Sequence, residues 1–115
     1  MVNQPVIILS QAEALEIARN YVKAVRAFGV NIRKAFLFGS YAKNRQHEWS
    51  DIDLALIGDD FVGSPVIDND LFLNLHLQKK FIDIETHTFP TACLTNGDAF
   101  MNEVIFRTGI EIDLN

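Results

Sequence analysis

Two aspartates separated by one residue offer the clearest chemistry in the sequence. Asp51 and Asp53 lie in a short apolar run, and side chains two apart on a β-strand point to the same face. Carboxylates that converge among apolar residues are costly unless they are paired or bind a metal, and oxygen ligands of this kind suit Mg²⁺. The pair therefore predicts a magnesium site, although a strand start with two solvent-facing aspartates would leave the same pattern.

A second pair of acidic residues repeats this spacing further along the chain. Asp83 and Glu85 alternate with Ile82 and Ile84, so they too are expected to share one face of a strand. If the two strands are neighbours, three carboxylates can meet, as a two-metal site for phosphoryl transfer requires. Asp83 or Glu85 could supply the third carboxylate, and an exposed charge on an edge strand is the alternative.

A glycine and a serine follow an apolar run that is typical of a buried strand. Gly39 and Ser40 lie where this strand gives way to a turn, whose backbone N–H groups can bind phosphate oxygens. Glycine allows close approach of the ligand, and the serine hydroxyl adds a donor. Lys43 and Arg45 could reach the phosphates or be solvated loop charges. The turn predicts a triphosphate site, although a Gly-Ser pair alone also suits an ordinary turn.

The elements that must position these residues follow from hydrophobic patterning. Ser10 and Glu13 form a capping box ahead of apolar residues at helical spacing, and Gly109 closes a last helical pattern. Continuous apolar runs predict buried strands. Strands are predicted at about 35–38, 51–57 and 81–89, and helices at about 11–28, 70–80 and 100–107. Strands separated by helices predict an α/β fold.

Size and composition predict one cytoplasmic domain spanning residues 1–115. With 115 residues and 49% of them apolar, the chain can bury a core of its own. Cys93 is the one cysteine, and neither a leader pattern nor an apolar run of membrane-spanning length is present in the sequence. The net charge of −5 argues against nucleic acid as the main partner.

The charges are distributed unevenly along the chain. Seven of the ten basic residues precede position 46, and thirteen of the fifteen acidic residues follow it. This asymmetry fits a phosphate site beside a carboxylate-rich metal site, and it equally fits two solvated faces.

Together these motifs resemble a known signature. Residues 39–44 (GSYAKN), followed after five residues by 50–54 (SDIDL), are similar to the signature of the DNA polymerase beta-type nucleotidyltransferase superfamily, most closely its minimal nucleotidyltransferase branch. Residues 81–84 (FIDI) resemble the element that supplies the third carboxylate of that family. Residues 105–110 (IFRTGI) resemble the end of these short domains. The similarity therefore spans nearly the whole chain.

The resemblance implies a fold, an activity and a set of site residues. The implied fold is a mixed β-sheet with helices packed mainly on one side. The implied activity is transfer of a nucleoside monophosphate, AMP from ATP, to a hydroxyl acceptor. Gly39 and Ser40 would hold the triphosphate. Two Mg²⁺ ions would be held by Asp51, Asp53 and Asp83, so the resemblance favours Asp83 over Glu85.

The acceptor and partner are less defined. Larger relatives carry an extra domain for the acceptor, so here we expect a partner chain or a second copy to supply that surface. Short domains of this branch often act as antitoxins that bind a helical HEPN-type ribonuclease toxin, and in some cases adenylylate it on tyrosine. Two alternatives stay open: a catalytically inactive nucleotide- or partner-binding module, and a transferase acting on a small molecule such as an aminoglycoside.

Three features depart from the family pattern or stand outside it. Many relatives have glycine where Asn44 lies, and asparagine tolerates left-handed backbone geometry. Trp49 stands among residues that are usually small and polar, and we expect it to anchor its loop on the domain, with base stacking as the alternative. No metal-binding spacing links the histidines, which are expected to be ordinary ones: His47, His76 and His87.

Overall fold

The first helix begins at the capping box. The computed structural model describes residues 8–64, 67–68, 70, 73–95 and 99–114. Helix α1 spans Gln11–Ala27. The Glu13 N–H donates to the Ser10 hydroxyl at 3.1 Å, and the Ser10 N–H donates to the Glu13 carboxylate at 2.9 Å. The predicted helix and its cap are therefore confirmed.

Four strands form a mixed sheet in the order β3-β2-β1-β4. The strands are β1 (Lys34–Phe38), β2 (Ile52–Gly58), β3 (Ile84–Pro90) and β4 (Ile110–Glu111). Strand β1 is antiparallel to both β2 and β4, whereas β2 and β3 are parallel. The predicted mixed sheet with helices is confirmed, and the short strand β4 is an addition to it.

The sheet buries apolar side chains on both faces. Helix α1 packs on one face, where it builds the larger core with side chains that include Ala18, Tyr21, Val22, Leu37, Leu54 and Ile84. A π-helix at Met101–Phe106 packs on the other face. The smaller core there is formed by Phe36, Phe38, Ala55, Ile57, Met101 and Ile105. No helix in the described ranges is long and apolar enough to cross a membrane.

The segment before β3 differs from the prediction. The expected helix over 70–80 is represented by helix α2 (Leu73–His76) and a 3-10 turn at Lys79–Phe81, while residues 71 and 72 of that prediction lie outside the described residues. Phe81 packs its ring against the edge of Tyr21, with centroids 5.1 Å apart. Because this contact holds Phe81 in the helical turn, β3 begins at Ile84 and not at Phe81.

A buried carboxylate, that of Asp68, joins the backbone shortly after β2 to a side chain of β3. The Asp68 side chain is fully buried and accepts hydrogen bonds from the N–H groups of Val62 and Gly63, at 3.0 Å each, and from the Thr88 hydroxyl at 2.6 Å. We expect Asp68→Ala to lower the free energy of unfolding by roughly 2–3 kcal/mol, because three donors, including the buried Thr88 hydroxyl, lose their acceptor. Chemical denaturation measures this loss. Asp70→Ala, at an exposed neighbour, is the control and should change little.

Candidate functional site

The turn after β1 is tight and has left-handed backbone geometry at two positions. Gly39 has a φ of 76°, and Asn44 has a φ of 55°, so the left-handed geometry expected at Asn44 is confirmed. The turn closes through hydrogen bonds from the Lys43 N–H to the Gly39 carbonyl at 3.2 Å and from the Arg45 N–H to the Ser40 carbonyl at 2.8 Å. Ser40 is half-buried and Lys43 is exposed, so both can meet a ligand from solvent.

The pairing of β1 with β2 brings this turn against Asp53. Phe38 lies opposite Asp53 in the antiparallel register, so the residue after Phe38 packs beside the carboxylate. A Cβ atom at Gly39 would lie 2.4 Å from Asp53 Oδ2, too close for any side chain unless the carboxylate moves. Glycine is therefore needed here for close packing as well as for its backbone conformation.

The parallel pairing of β2 with β3 adds two further side chains. Asp53 is aligned with Glu85, and Ala55 is aligned with His87. The His87 Nε2 atom lies 3.4 Å from Asp53 Oδ1 and 3.9 Å from Glu85 Oε1. Among the described residues, three side chains each place one potential ligand atom within 4.8 Å of the other two: Asp53, Glu85 and His87. A group of this spacing could hold a metal ion.

Asp51 joins this group from the residue just before β2. It is exposed, and its carboxylate interacts with that of Glu85. The pKa of Glu85 is raised, first by partial desolvation, then by the hydrogen bond with Asp51 and by repulsion from Asp53, against an opposing effect of His87. A cation placed among these carboxylates would relieve the repulsion. The donor set and the crowding of like charges therefore fit a divalent metal ion.

Asp83 lies outside this group, in the turn before β3. Its carbonyl accepts a hydrogen bond from the Ile52 N–H at 2.8 Å. Its side chain lines a cavity of about 270 Å³ that also borders Asp51, Tyr41 and Trp49. The pKa of Tyr41 is raised by burial and, second, by the negative charge of Asp83. Asp83 thus faces Tyr41, whereas the ligand atoms around Asp53 come from Glu85 and His87.

Trp49 does not anchor its loop on the domain, and that expectation is wrong. Its side chain is 81% exposed at the edge of the cavity. The loop closes through its own hydrogen bonds: the His47 N–H donates to the Ser50 hydroxyl at 2.8 Å, and the Trp49 N–H donates to His47 Nδ1 at 3.3 Å. Because these bonds already hold the turn, the indole remains free to contact a ligand or a partner.

His87 is the residue at this site that the sequence reasoning missed. The available signal was its position two residues after Glu85 on a predicted strand, which places both side chains on one face. Its ring also packs edge-on against Phe38, with centroids 4.9 Å apart. No conventional spacing of metal-binding histidines indicates this arrangement. Glu85 lies on the same strand as His87, but Asp53 lies on the neighbouring strand β2, far away in the sequence.

Comparisons with known proteins identify the family and the fold of the chain. The family model described as "Polymerase beta, Nucleotidyltransferase" matches residues 16–112. A protein from Sulfolobus solfataricus, itself provisionally assigned as a nucleotidyltransferase, has a similar solved structure with a TM-score of 0.62 and 18% identity, covering 96% of this chain and 89% of that chain. A chain in a mutant form of the MntA-HpeT toxin-antitoxin structure has a TM-score of 0.50 and 16% identity, and the match covers 93% of this chain and 75% of that chain. At these identities the two structures show a shared fold. No curated protein matches the chain.

Proposed function

The chain belongs to the polymerase beta nucleotidyltransferase family, and we propose that it transfers AMP from ATP to a hydroxyl group of an acceptor. The observation that carries the proposal is the packing of Gly39 against Asp53, where a Cβ atom would lie 2.4 Å from the carboxylate. A phosphate-binding turn and a metal-binding carboxylate in contact can hold a triphosphate and its metal ions at one place.

The turn residues would bind and orient the triphosphate. Backbone N–H groups following Gly39 and the Ser40 hydroxyl are suitable donors for phosphate oxygens, and the exposed Lys43 ammonium can neutralise part of their charge. With the triphosphate held there, its α-phosphate can lie beside Asp51 and Asp53. The acceptor oxygen would then form a bond to the α-phosphorus while the bond to the bridging oxygen breaks, so that pyrophosphate leaves and the hydroxyl proton passes to solvent.

Three carboxylates would hold the metal ions. We propose Asp51, Asp53 and Glu85 as the ligands of two Mg²⁺ ions. Magnesium bound there supplies charge neutralisation for the triphosphate and the leaving pyrophosphate, and activation of the attacking hydroxyl. Glu85 replaces Asp83 in this proposal because the β2-β3 register aligns Glu85 with Asp53, whereas Asp83 lies in the preceding turn and faces Tyr41.

The acceptor is proposed to lie on a partner protein in the cytoplasm, with a tyrosine of a HEPN-type toxin as the candidate. Two observations support a protein partner. The fold is shared with a chain of a toxin-antitoxin structure. In addition, the exposed Trp49 borders a cavity that reaches Asp51, so a partner seated on this surface would present its hydroxyl next to the proposed metal site.

Calorimetry and intact-mass analysis test the proposal in two steps. We expect ATP to bind at least about 10-fold more tightly with Mg²⁺ than in a chelator, because the ions offset repulsion between the triphosphate and the carboxylates. The chain with its bound partner, incubated with ATP and Mg²⁺, should then yield a partner heavier by one adenylyl group. Equal ATP affinity in both buffers would contradict the metal site. Tight metal-dependent binding without transfer would instead identify an inactive binding module.

Substitutions in the turn give a prediction about nucleotide binding. Gly39→Ala should weaken Mg²⁺-ATP binding at least about 10-fold, because the new Cβ displaces the Asp53 carboxylate from the position in which it meets the metal. Ser40→Ala should weaken binding only about 2- to 5-fold, since the backbone donors remain. Isothermal titration calorimetry gives both values.

Gly29→Ala is the matched control for backbone strain. Gly29 has a φ of 91°, and a Cβ there would meet nothing within 4 Å. Thermal melts should therefore show a loss of stability from strain in both alanine variants, of about 1–2 kcal/mol, while only Gly39→Ala loses nucleotide affinity. If Gly39→Ala binds ATP like the wild type, the triphosphate lies elsewhere.

A further inference from the structure

The imidazole of His87 stands at the proposed metal site in a position that the three-carboxylate arrangement does not use. Its side chain is 34% exposed, and that of Asp53 is 24% exposed, so both are largely covered by protein. The edge contact with Phe38 restrains the ring, and Nε2 is the nitrogen that faces the carboxylates. The nitrogen is thus held in place before any ligand binds.

The distances around His87 Nε2 can be compared with those of ligands that share an ion. The Nε2 to Asp53 Oδ1 distance of 3.4 Å is longer than the 2.7–3.2 Å that is about normal for an N–H···O bond. Two ligand atoms bound to one ion at about 2.1 Å lie roughly 3.0 Å apart in octahedral geometry and roughly 3.4 Å apart in tetrahedral geometry. The separation of 3.4 Å between His87 Nε2 and Asp53 Oδ1 matches the tetrahedral value. The separation of 3.9 Å from Glu85 Oε1 is longer than either value, so the Glu85 carboxylate would have to move closer to share the ion.

The donor type then decides which metal ion the position prefers. Mg²⁺ prefers oxygen ligands and gives up its water reluctantly, whereas Zn²⁺ and Co²⁺ bind imidazole nitrogen well and rank above Mn²⁺ at mixed sites. Two carboxylates and one imidazole would supply three protein ligands, the number with which catalytic Zn²⁺ sites keep an open position for water or substrate. Such a set is suited to a transition metal.

We propose that His87 is a metal ligand, and that with Asp53 and Glu85 it gives one of the two ion positions a preference for Co²⁺ or Zn²⁺ over Mg²⁺. This inference rests on the proposed function, which places metal ions at this site. It adds His87 as a fourth ligand residue and names the class of metal that one position prefers. The second position, served by Asp51, Asp53 and the triphosphate, has oxygen ligands alone and keeps the preference for Mg²⁺.

Metal titrations without nucleotide test the ligand role. The full chain and its His87→Ala variant are titrated with Co²⁺, followed by visible absorption, and with Mg²⁺, followed by calorimetry. We expect the wild type to bind Co²⁺ at least about 10-fold more tightly than Mg²⁺. His87→Ala should lower the Co²⁺ affinity at least about 10-fold and the Mg²⁺ affinity less than about 3-fold. His47→Ala, which removes an imidazole outside this group, should leave the Co²⁺ spectrum unchanged.

A second measurement needs no variant. In protein labelled with ¹⁵N-histidine, Zn²⁺ should shift the Nε2 resonance of His87 far more than its Nδ1 resonance, which a residue that merely positions Asp53 would not show. The inference would be overturned if His87→Ala bound Co²⁺ within about 2-fold of the wild-type affinity, or if Zn²⁺ did not shift the His87 Nε2 resonance. Either result would still be compatible with a magnesium-dependent transferase. Failure of the wild type to bind any of these ions, even with ATP present, would reject the proposed metal site as well.

Discussion

Asp53→Asn is expected to abolish nucleotide transfer while leaving the metal-free protein at least as stable as the wild type. Asp53 contacts the Gly39 turn, is aligned with Glu85 and lies 3.4 Å from His87 Nε2, so it connects the turn to the side chains of β3. An amide of the same shape keeps the packing but loses the charge that binds metal. We expect transfer to fall at least about 1000-fold, equivalent to roughly 4 kcal/mol of lost transition-state stabilisation.

The stability of the same variant separates a catalytic role from a structural one. In a chelator, removal of one negative charge from beside Glu85 and Asp51 relieves repulsion, so the melting temperature should stay level or rise slightly. Added Mg²⁺ and ATP should then stabilise the wild type but not the variant. An Asp53→Asn protein that melts far below the wild type without metal would show that the carboxylate holds the fold together. Transfer at the wild-type rate by a folded variant would show that the metal site lies elsewhere.

The parts of the fold that could be predicted are those with local signals. The capping box at Ser10 and Glu13 fixes the start of α1, because the side chain of each residue accepts a hydrogen bond from the backbone N–H of the other. The apolar runs that became β1 and β2 end at glycines and contain few polar residues, so their burial follows from composition alone. Asn44 adopts the left-handed backbone that its residue type allows.

The parts that could not be predicted depend on contacts between distant segments. Strand β4 has two residues and exists because Ile110 and Glu111 pair with β1. The start of β3 is set by the packing of Phe81 on Tyr21, a contact across sixty residues of sequence that no local pattern encodes. In the sequence, Asp68 is one polar residue among several in a polar segment. In the structure its carboxylate is buried and accepts a hydrogen bond from the Thr88 hydroxyl.

The candidate site shows the same division. The Gly39 turn and the aspartate pair were evident from spacing along one segment, because the turn and the strand that carry them are themselves local structures. The spacing did not indicate whether Asp83 or Glu85 lies beside Asp53, because this depends on where β3 begins and on its register against β2. A shift of one residue in that register would turn a different set of side chains toward Asp53.

Glu85→Gln and Asp83→Asn form a matched pair that decides which residue supplies the third carboxylate. Both side chains are exposed, so neither amide should disturb the core. Because the Glu85 carboxylate contacts Asp51 and faces Asp53, Glu85→Gln should slow transfer at saturating ATP and Mg²⁺ at least about 100-fold. Asp83→Asn keeps the backbone bond to Ile52 and should change the rate less than about 3-fold. The opposite order of rates would assign the third carboxylate to Asp83, which borders the same cavity as Asp51.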